Sequence, residues 1–140
     1  MSFRNVNAFK KRLKKRLTVN PIRNSLKAVN RSTMVVRDTV VVGIAEGSRS
    51  GVEKPDGSRR SAPGEYPKTD GGELVANVTT NVKRQGTTVI GQIISGAEYS
   101  EALEFGTTKM APRPFMQPSL RKNEEKITNI FIQEGAIDDR

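Results

Sequence analysis

The residues able to do chemistry in this chain are few, and they do not form a reacting set. Its 140 residues include no His and no Cys, which removes the commonest general base, the commonest metal ligand and the thiolate nucleophile together. Ser95, Ser100 and Ser119 are hydroxyls without a base to activate them. The acids near them, Glu98, Glu101 and Glu104, are not paired within an apolar run that would drive two carboxyl pKa values apart. The residues therefore point away from catalysis, and no metal or cofactor site is expected.

The same region is rich in structural punctuation. In "YSEALEFGTTKMAPRPFMQPSL", Tyr99 to Leu120, the upstream pair Ser95 and Glu98 has capping-box spacing and predicts a short helix starting at Ser95. Tyr99, Ala102 and Leu103 would share one face of it, with Glu98, Glu101 and Glu104 on the other. Gly106 suits a left-handed C-terminal cap. Pro112 and Pro114 lock their own φ and push Ala111 and Arg113 out of the helical region, which predicts a straight, stiff segment. Phe105 and Phe115 bracket it as anchors, and burying each would contribute about 1.5 to 3 kcal/mol. Arg113, held between two prolines, is expected to reach a carboxylate such as Glu104, in its own chain in preference to one across a subunit boundary. Pro118 fits the first turn of a last helix that has Leu120, Ile127, Ile130, Phe131 and Glu134 on one side, and the acidic "EGAIDDR" end is expected to fray.

Charge separates the chain into two parts. The net charge is +9, yet 11 of the 24 Lys and Arg precede Asp38, and all 15 acids lie from Asp38 onward. The chain is a basic arm on a nearly neutral body. Residues 1–19 place Phe3, Val6, Phe9, Leu13 and Leu17 within about a third of the helical circumference. Lys10, Lys11, Arg12, Lys14, Lys15 and Arg16 form the basic side of that amphipathic helix, suited to an acidic partner or to DNA. Asn20 and Pro21 then read as N-cap and first residue of a second helix. Its apolar positions Ile22, Leu26, Val29, Thr33, Val36, Val40 and Ile44 step by three and four. The β-branched run in "TVVVGI" favours a strand locally, and the helical period is taken to override it.

Between 47 and 72, Gly and Pro are dense and no period survives. These residues predict an extended loop or arm that orders against a partner, presenting Arg59, Arg60, Pro63, Gly64, Tyr66 and Pro67. Leu74, Ala76, Val78, Thr80 and Val82 then alternate with polar residues as a strand with one wet face. "KRQG" makes a turn, and Thr87 to Ile94 returns as a second strand apolar enough to be central. The fold class expected is α+β: one domain over 1–140, with a small antiparallel sheet packed against a long N-terminal helical region and a C-terminal helix. No apolar run approaches the roughly 20 residues that span a bilayer, so a soluble protein without a signal segment is expected.

Two of these blocks resemble a known family, the tail-completion or head-tail joining proteins of long-tailed bacteriophages, which are minor tail components. "YSEALEFGTTKMAPRPFMQPSL" is similar to the family's succession of Tyr, Glu-Phe-Gly-Thr, Arg-Pro-Phe and a Pro opening the C-terminal helix. "SAPGEYPKTDGGELVANV" is similar to its Pro-Gly-Glu-x-Pro loop and following Thr-Gly-x-Leu, with Gly71 where Thr is usual. The resemblance implies a structural protein of the virion neck, not an enzyme, assembled in the host cytoplasm and placed at the head-tail junction. It implies a closed homo-oligomeric ring, a hexamer if it matches the tail tube, touching a connector or adaptor on one side and a tail terminator or tube on the other. Tyr99, Glu101, Glu104, Phe105, Gly106, Arg113, Pro114 and Phe115 would then lie near a subunit or partner interface. The alternative is a small basic DNA-binding protein, since "KKRLKKR" would neutralise phosphates. No base-reading pattern accompanies it, so that contact, with genome DNA included, would be non-specific. A membrane-surface helix would want Trp or more Leu on its apolar face.

Overall fold

The β-branched residues Thr39 to Val42 lie inside a helix, α1, which runs from Pro21 to Glu46. The computed structural model describes residues 21–47, 49–68 and 72–138, so the basic segment 1–19 and the expected Asn20 cap lie outside the described residues. One stripe of α1, Ala28, Ser32, Thr33, Val36, Val40 and Ile44, is buried, and that burial outweighs the few tenths of a kcal/mol per residue by which β-branching disfavours helix. Thr33 and Thr39 keep their hydroxyls satisfied inside the helix by donating to the carbonyls of Val29 and Val35, at 2.7 and 3.1 Å.

The remaining elements follow as α2 (Glu73–Ala76), β1 (Val78–Gln85), β2 (Thr88–Ser95), α3 (Ser100–Phe105), α4 (Met116–Lys122) and α5 (Glu124–Gln133). This is an α+β fold, with a two-stranded antiparallel sheet, a long N-terminal helix and C-terminal helices. Val40, Ile44, Leu74, Val78, Ala97 and Phe115 form the core. No helix among the described residues is long and apolar enough to cross a membrane.

A two-stranded sheet is marginal by itself, and α1 is what supports this one, packing on both strands. The register pairs Val78 with Ser95, Thr80 with Ile93 and Val82 with Gly91. The approach is closest at Gly91, where a Cβ would fall 2.3 Å from Thr33 Oγ1 and 2.7 Å from Val29 Cγ1. Only a residue without a side chain lets the helix rest on the strand backbone there. The ladder continues to Gln85 and Thr88, so the connection is tighter than the "KRQG" turn expected. Two residues make it, and Gly86 takes the positive φ of 60° required at its first position.

Three expected elements are corrected. Leu74 does not begin a strand: it lies on the single turn α2 at 1% exposure, closed by Asn77 Nδ2 donating to the Glu73 carbonyl at 2.8 Å. Its alternation with Ala76 and Val78 was read as period two, but Ala76 is exposed while Leu74 and Val78 are buried. Ser95 does not cap a helix either. It ends β2, and its Oγ lies 2.6 Å from Ser100 Oγ, while α3 begins five residues later with Tyr99 at its N-cap and no side-chain cap bond. The last helix is two helices, α4 and α5. Asn123 between them is buried and donates to Thr39 Oγ1 at 2.8 Å and to the Ser119 carbonyl at 2.7 Å.

The C-terminal end is capped instead of frayed as far as it is described. Gly135 has φ 68°, and the Ala136 amide reaches the Phe131 carbonyl at 2.9 Å, a Schellman-type closure. Ile130 is buried, Ile127, Phe131 and Glu134 are partly so, and Leu120 is exposed.

Since α1 touches β2 at backbone distance, Gly91→Val should destabilise the fold by about 1 to 3 kcal/mol through overpacking. The check is a lower urea midpoint with an unchanged m-value; an unchanged midpoint would mean that helix and strand separate easily.

Candidate joint and apolar groove

Helix α4 starts without a cap of its own. Its N-cap residue, Phe115, makes no side-chain cap bond, and a helix N-terminus leaves backbone N–H groups without intrahelical acceptors. Pro118 removes one such donor because it has none. The others are met from α3: the Glu104 carboxylate accepts the amides of Phe115 at 2.7 Å, Met116 at 3.0 Å and Gln117 at 2.9 Å. A carboxylate is favoured at that end of a helix also by the helix dipole. One side chain thereby closes the path from residue 104 to residue 117.

Arg113 was expected to pair with Glu104 and does not, because the carboxylate is taken up by the helix end. The Arg113 backbone amide donates to the Leu103 carbonyl at 2.7 Å, and Nε donates to the Ser61 carbonyl at 3.1 Å. Gly106 follows α3 with φ 75° and ψ 176°. That is not the left-handed helical cap expected but an extended positive-φ conformation open essentially to Gly alone. A Cβ there would also meet the Met110 carbonyl oxygen at 2.9 Å. The two aromatic anchors part company. Phe115 is 0% exposed and belongs to the core, whereas Phe105 is 77% exposed. On a helix of six residues only one face turns inward, and Phe105 lies about 200° around from Leu103. The acidic row also divides: Glu98 precedes α3, Glu101 is exposed on it, and Glu104 turns into the cap. Tyr99 is partly exposed, with its phenol pushed above its ordinary 10.0 first by burial and then by Glu73. Pro114 is half-buried.

Beside the joint lies an open groove of about 670 Å³. Val36 and Val40 of α1, Gly91 and Ile93 of β2, and Phe115 and Met116 line it, with Glu101, Phe105 and the half-exposed Leu120 at its sides. Phe105 is therefore a large apolar group held in water next to an apolar depression, the kind of surface that marks association.

The 47–72 region does not form the free extended arm expected, so far as it is described. Glu53 and Arg59 bridge a small hairpin, with Gly51 and Arg60 amides bonded to Arg60 and Val52 carbonyls at 2.9 and 3.1 Å. Arg59 and Arg60 are exposed on it, and Arg59 stands 3.8 Å from Glu53. Ser61 to Lys68 then turns back onto the body. Pro67 and Ser61 are buried, and the Gly64 amide donates to the Pro112 carbonyl at 3.1 Å, while Pro63 is exposed. The Tyr66 hydroxyl lies 2.8 Å from Ser119 Oγ, which donates in turn to the Phe115 carbonyl at 2.6 Å, so Tyr66 is the donor of the pair. Its ring fills the space over Gly43, where a Cβ would be 2.3 Å away, and Lys122 Nζ sits 4.6 Å from the ring centre. Glu65 accepts from the Ser50 hydroxyl and amide and from the Ala62 amide at 2.7 Å. The Ser50 hydroxyl first, then the Ala62 amide, hold its carboxyl below the ordinary 4.5.

The basic residues Lys10, Lys11, Arg12, Lys14, Lys15 and Arg16 lie outside the described residues. Comparison with protein-family models, with curated proteins and with solved structures finds no match for this chain. Among the described residues no cluster of three or more acids is placed to hold a metal ion, and Ser95, Ser100 and Ser119 bond to one another or to structural partners. What the joint does physically is hold a surface still. Sequence reasoning missed Glu104 as the cap and missed Ser119, Asn123 and Glu65 as ties. Gly43 inside an otherwise apolar helical run was the one available signal of a close packing partner.

Glu104→Ala should cost about 1 to 3 kcal/mol by leaving the part-buried Phe115 and Met116 amides without an acceptor. Exchange of the Phe115 to Gln117 amides should accelerate before that of the sheet, with Glu104→Gln intermediate. Equal exchange in variant and native protein would remove the cap from its assigned role. The Glu65 carboxyl has a lowered folded pKa, so its contribution is full above 4.5 and disappears as pH falls through the folded value. Glu65→Gln should flatten that part of the acid-unfolding profile, measured by circular dichroism between pH 5 and the acid limb; an unchanged profile would show that Glu65 holds nothing.

Proposed function

We propose that the protein is a structural subunit of a bacteriophage neck, forming a ring that joins or completes the tail at the head-tail interface. The observation that carries this reading is the capped joint itself: a segment fixed by Glu104 and two prolines, holding Phe105 exposed beside an apolar groove. A surface already held in shape loses little conformational freedom on association, so more of the contact energy appears as affinity. The Tyr, Glu-Phe-Gly-Thr and Arg-Pro-Phe succession that resembles tail-completion proteins falls on this same joint, which supports placing a subunit boundary there. The ring is a hexamer in this reading, its neighbours are connector and tail proteins, and the protein is not an enzyme.

Sedimentation velocity and negative-stain imaging of the full chain test the proposal. The expected outcome is a closed ring formed without DNA, lost in Phe105→Asp, whose far-ultraviolet circular dichroism stays native because Phe105 contributes little to the core. A monomer that binds duplex tightly at low salt and releases it steeply as salt rises would instead favour the small basic DNA-binding protein.

A further inference from the structure

The groove beside the joint is one end of a longer trough. A second hollow of about 220 Å³ lies against α1 at Val29 and against Phe131 of α5, and it shares Val36, Gly91 and Leu120 with the first. Together they run beside α1 from Val29 to Val40, about 16 Å at 1.5 Å per residue. Along this length Leu120 stands about half exposed, and the open trough is mainly apolar, with Ser32 and Thr33 among its lining residues. The only apolar stripe of the chain outside the described residues is at its N-terminus, where Phe3, Val6, Phe9, Leu13 and Leu17 have the three-and-four spacing with which a helix anchors in a groove. As a helix they extend over about 21 Å, about one turn longer than the trough.

We infer that this trough receives the N-terminal segment of a second copy of the chain, its apolar stripe inward, as the strap that links ring subunits. The inference rests on the ring reading. Charge selects a neighbouring copy over the segment's own body. Folding back in the same chain, with a turn at Thr18 to Asn20, would run the segment antiparallel to α1 and set Lys10 to Arg16 beside Arg23, Lys27 and Arg31. No acid occurs anywhere in the first 37 residues, and Glu134 of α5 is engaged by Arg31 at 2.6 Å. A segment arriving from another copy is free to enter in the opposite direction. Its basic half then lies toward the exposed Glu101 at the Phe105 end, where opposite charges guide encounter and fix orientation.

The chain has no cysteine, so introduced thiols report on this without background. Full-length Leu13→Cys and Leu120→Cys variants carrying different tags are co-expressed and oxidised. A disulfide between the two tagged chains is expected, and the double variant should give a ladder ending at the ring number. A double variant that forms only an intrachain disulfide, or none, overturns the inference. In parallel, full-length Phe9→Glu/Leu13→Glu, which alters no residue of the described core, should lose the ring species at a concentration where the native chain is fully assembled. If that variant assembles like the native chain, the strap is wrong and the ring reading stands; if the native chain itself sediments as a monomer, both fall.

Discussion

A single carboxylate organises the C-terminal half of this molecule. Glu104 bonds to three successive backbone amides at the start of α4, and those amides have no other acceptor in the helix. The consequence reaches beyond α4. Because the carboxylate belongs to α3, capping fixes the two helices relative to one another and forces the chain between them, with both prolines, into one path. Phe115 is then directed into the core and Phe105 out of it. Arg113, released from any role as partner of Glu104, ties the segment Ser61 to Lys68 to the same joint through the Ser61 carbonyl.

The rest of the body is assembled by close approach. Two glycines admit it: Gly91 brings α1 onto the backbone of β2, and Gly43 admits the Tyr66 ring further along the same helix. Tyr66 then hands a hydrogen bond to Ser119 of α4, and Asn123 ties α4 to Thr39 of α1. A long helix, a thin sheet and several short helices share few apolar residues among them, and these directed contacts compensate for a modest core. Among the described residues an apolar depression is left uncovered beside the rigid joint. A presented surface that does not move forfeits little entropy on any contact it makes.

This division of labour has a physical logic. Interactions that hold the joint are short backbone and carboxylate bonds, insensitive to what lies outside. The surface the joint presents, Phe105 and the sides of the groove, is apolar and open to contact. In the proposed ring the basic N-terminal residues would add long-range attraction, which acts on encounter and orientation more than on the strength of the final contact.

The sequence by itself determined the periodic elements. The three-and-four spacing from Ile22 to Ile44 specified α1 despite its β-branched run, because burial of one stripe exceeds the cost of stiff side chains in a helix. Alternation after Val78 and a glycine at 86 specified the hairpin, and the prolines at 112 and 114 specified a stiff segment, since these are local constraints on φ and on side-chain direction. Tertiary structure alone decided the rest. Whether Glu104 met Arg113 or a helix end depended on where α4 began in space, and three amides outcompeted one guanidinium. Whether Phe105 was buried depended on which face of a six-residue helix met the core, and Leu103 took that place. The 47–72 region had no period to read, yet Tyr66 found partners on α1 and α4, far away in sequence, and Pro67 was buried. Leu74 alternated like a strand residue and was buried on a helical turn. Local pattern reports the direction a side chain leaves the backbone; what it meets there is set only when distant segments pack.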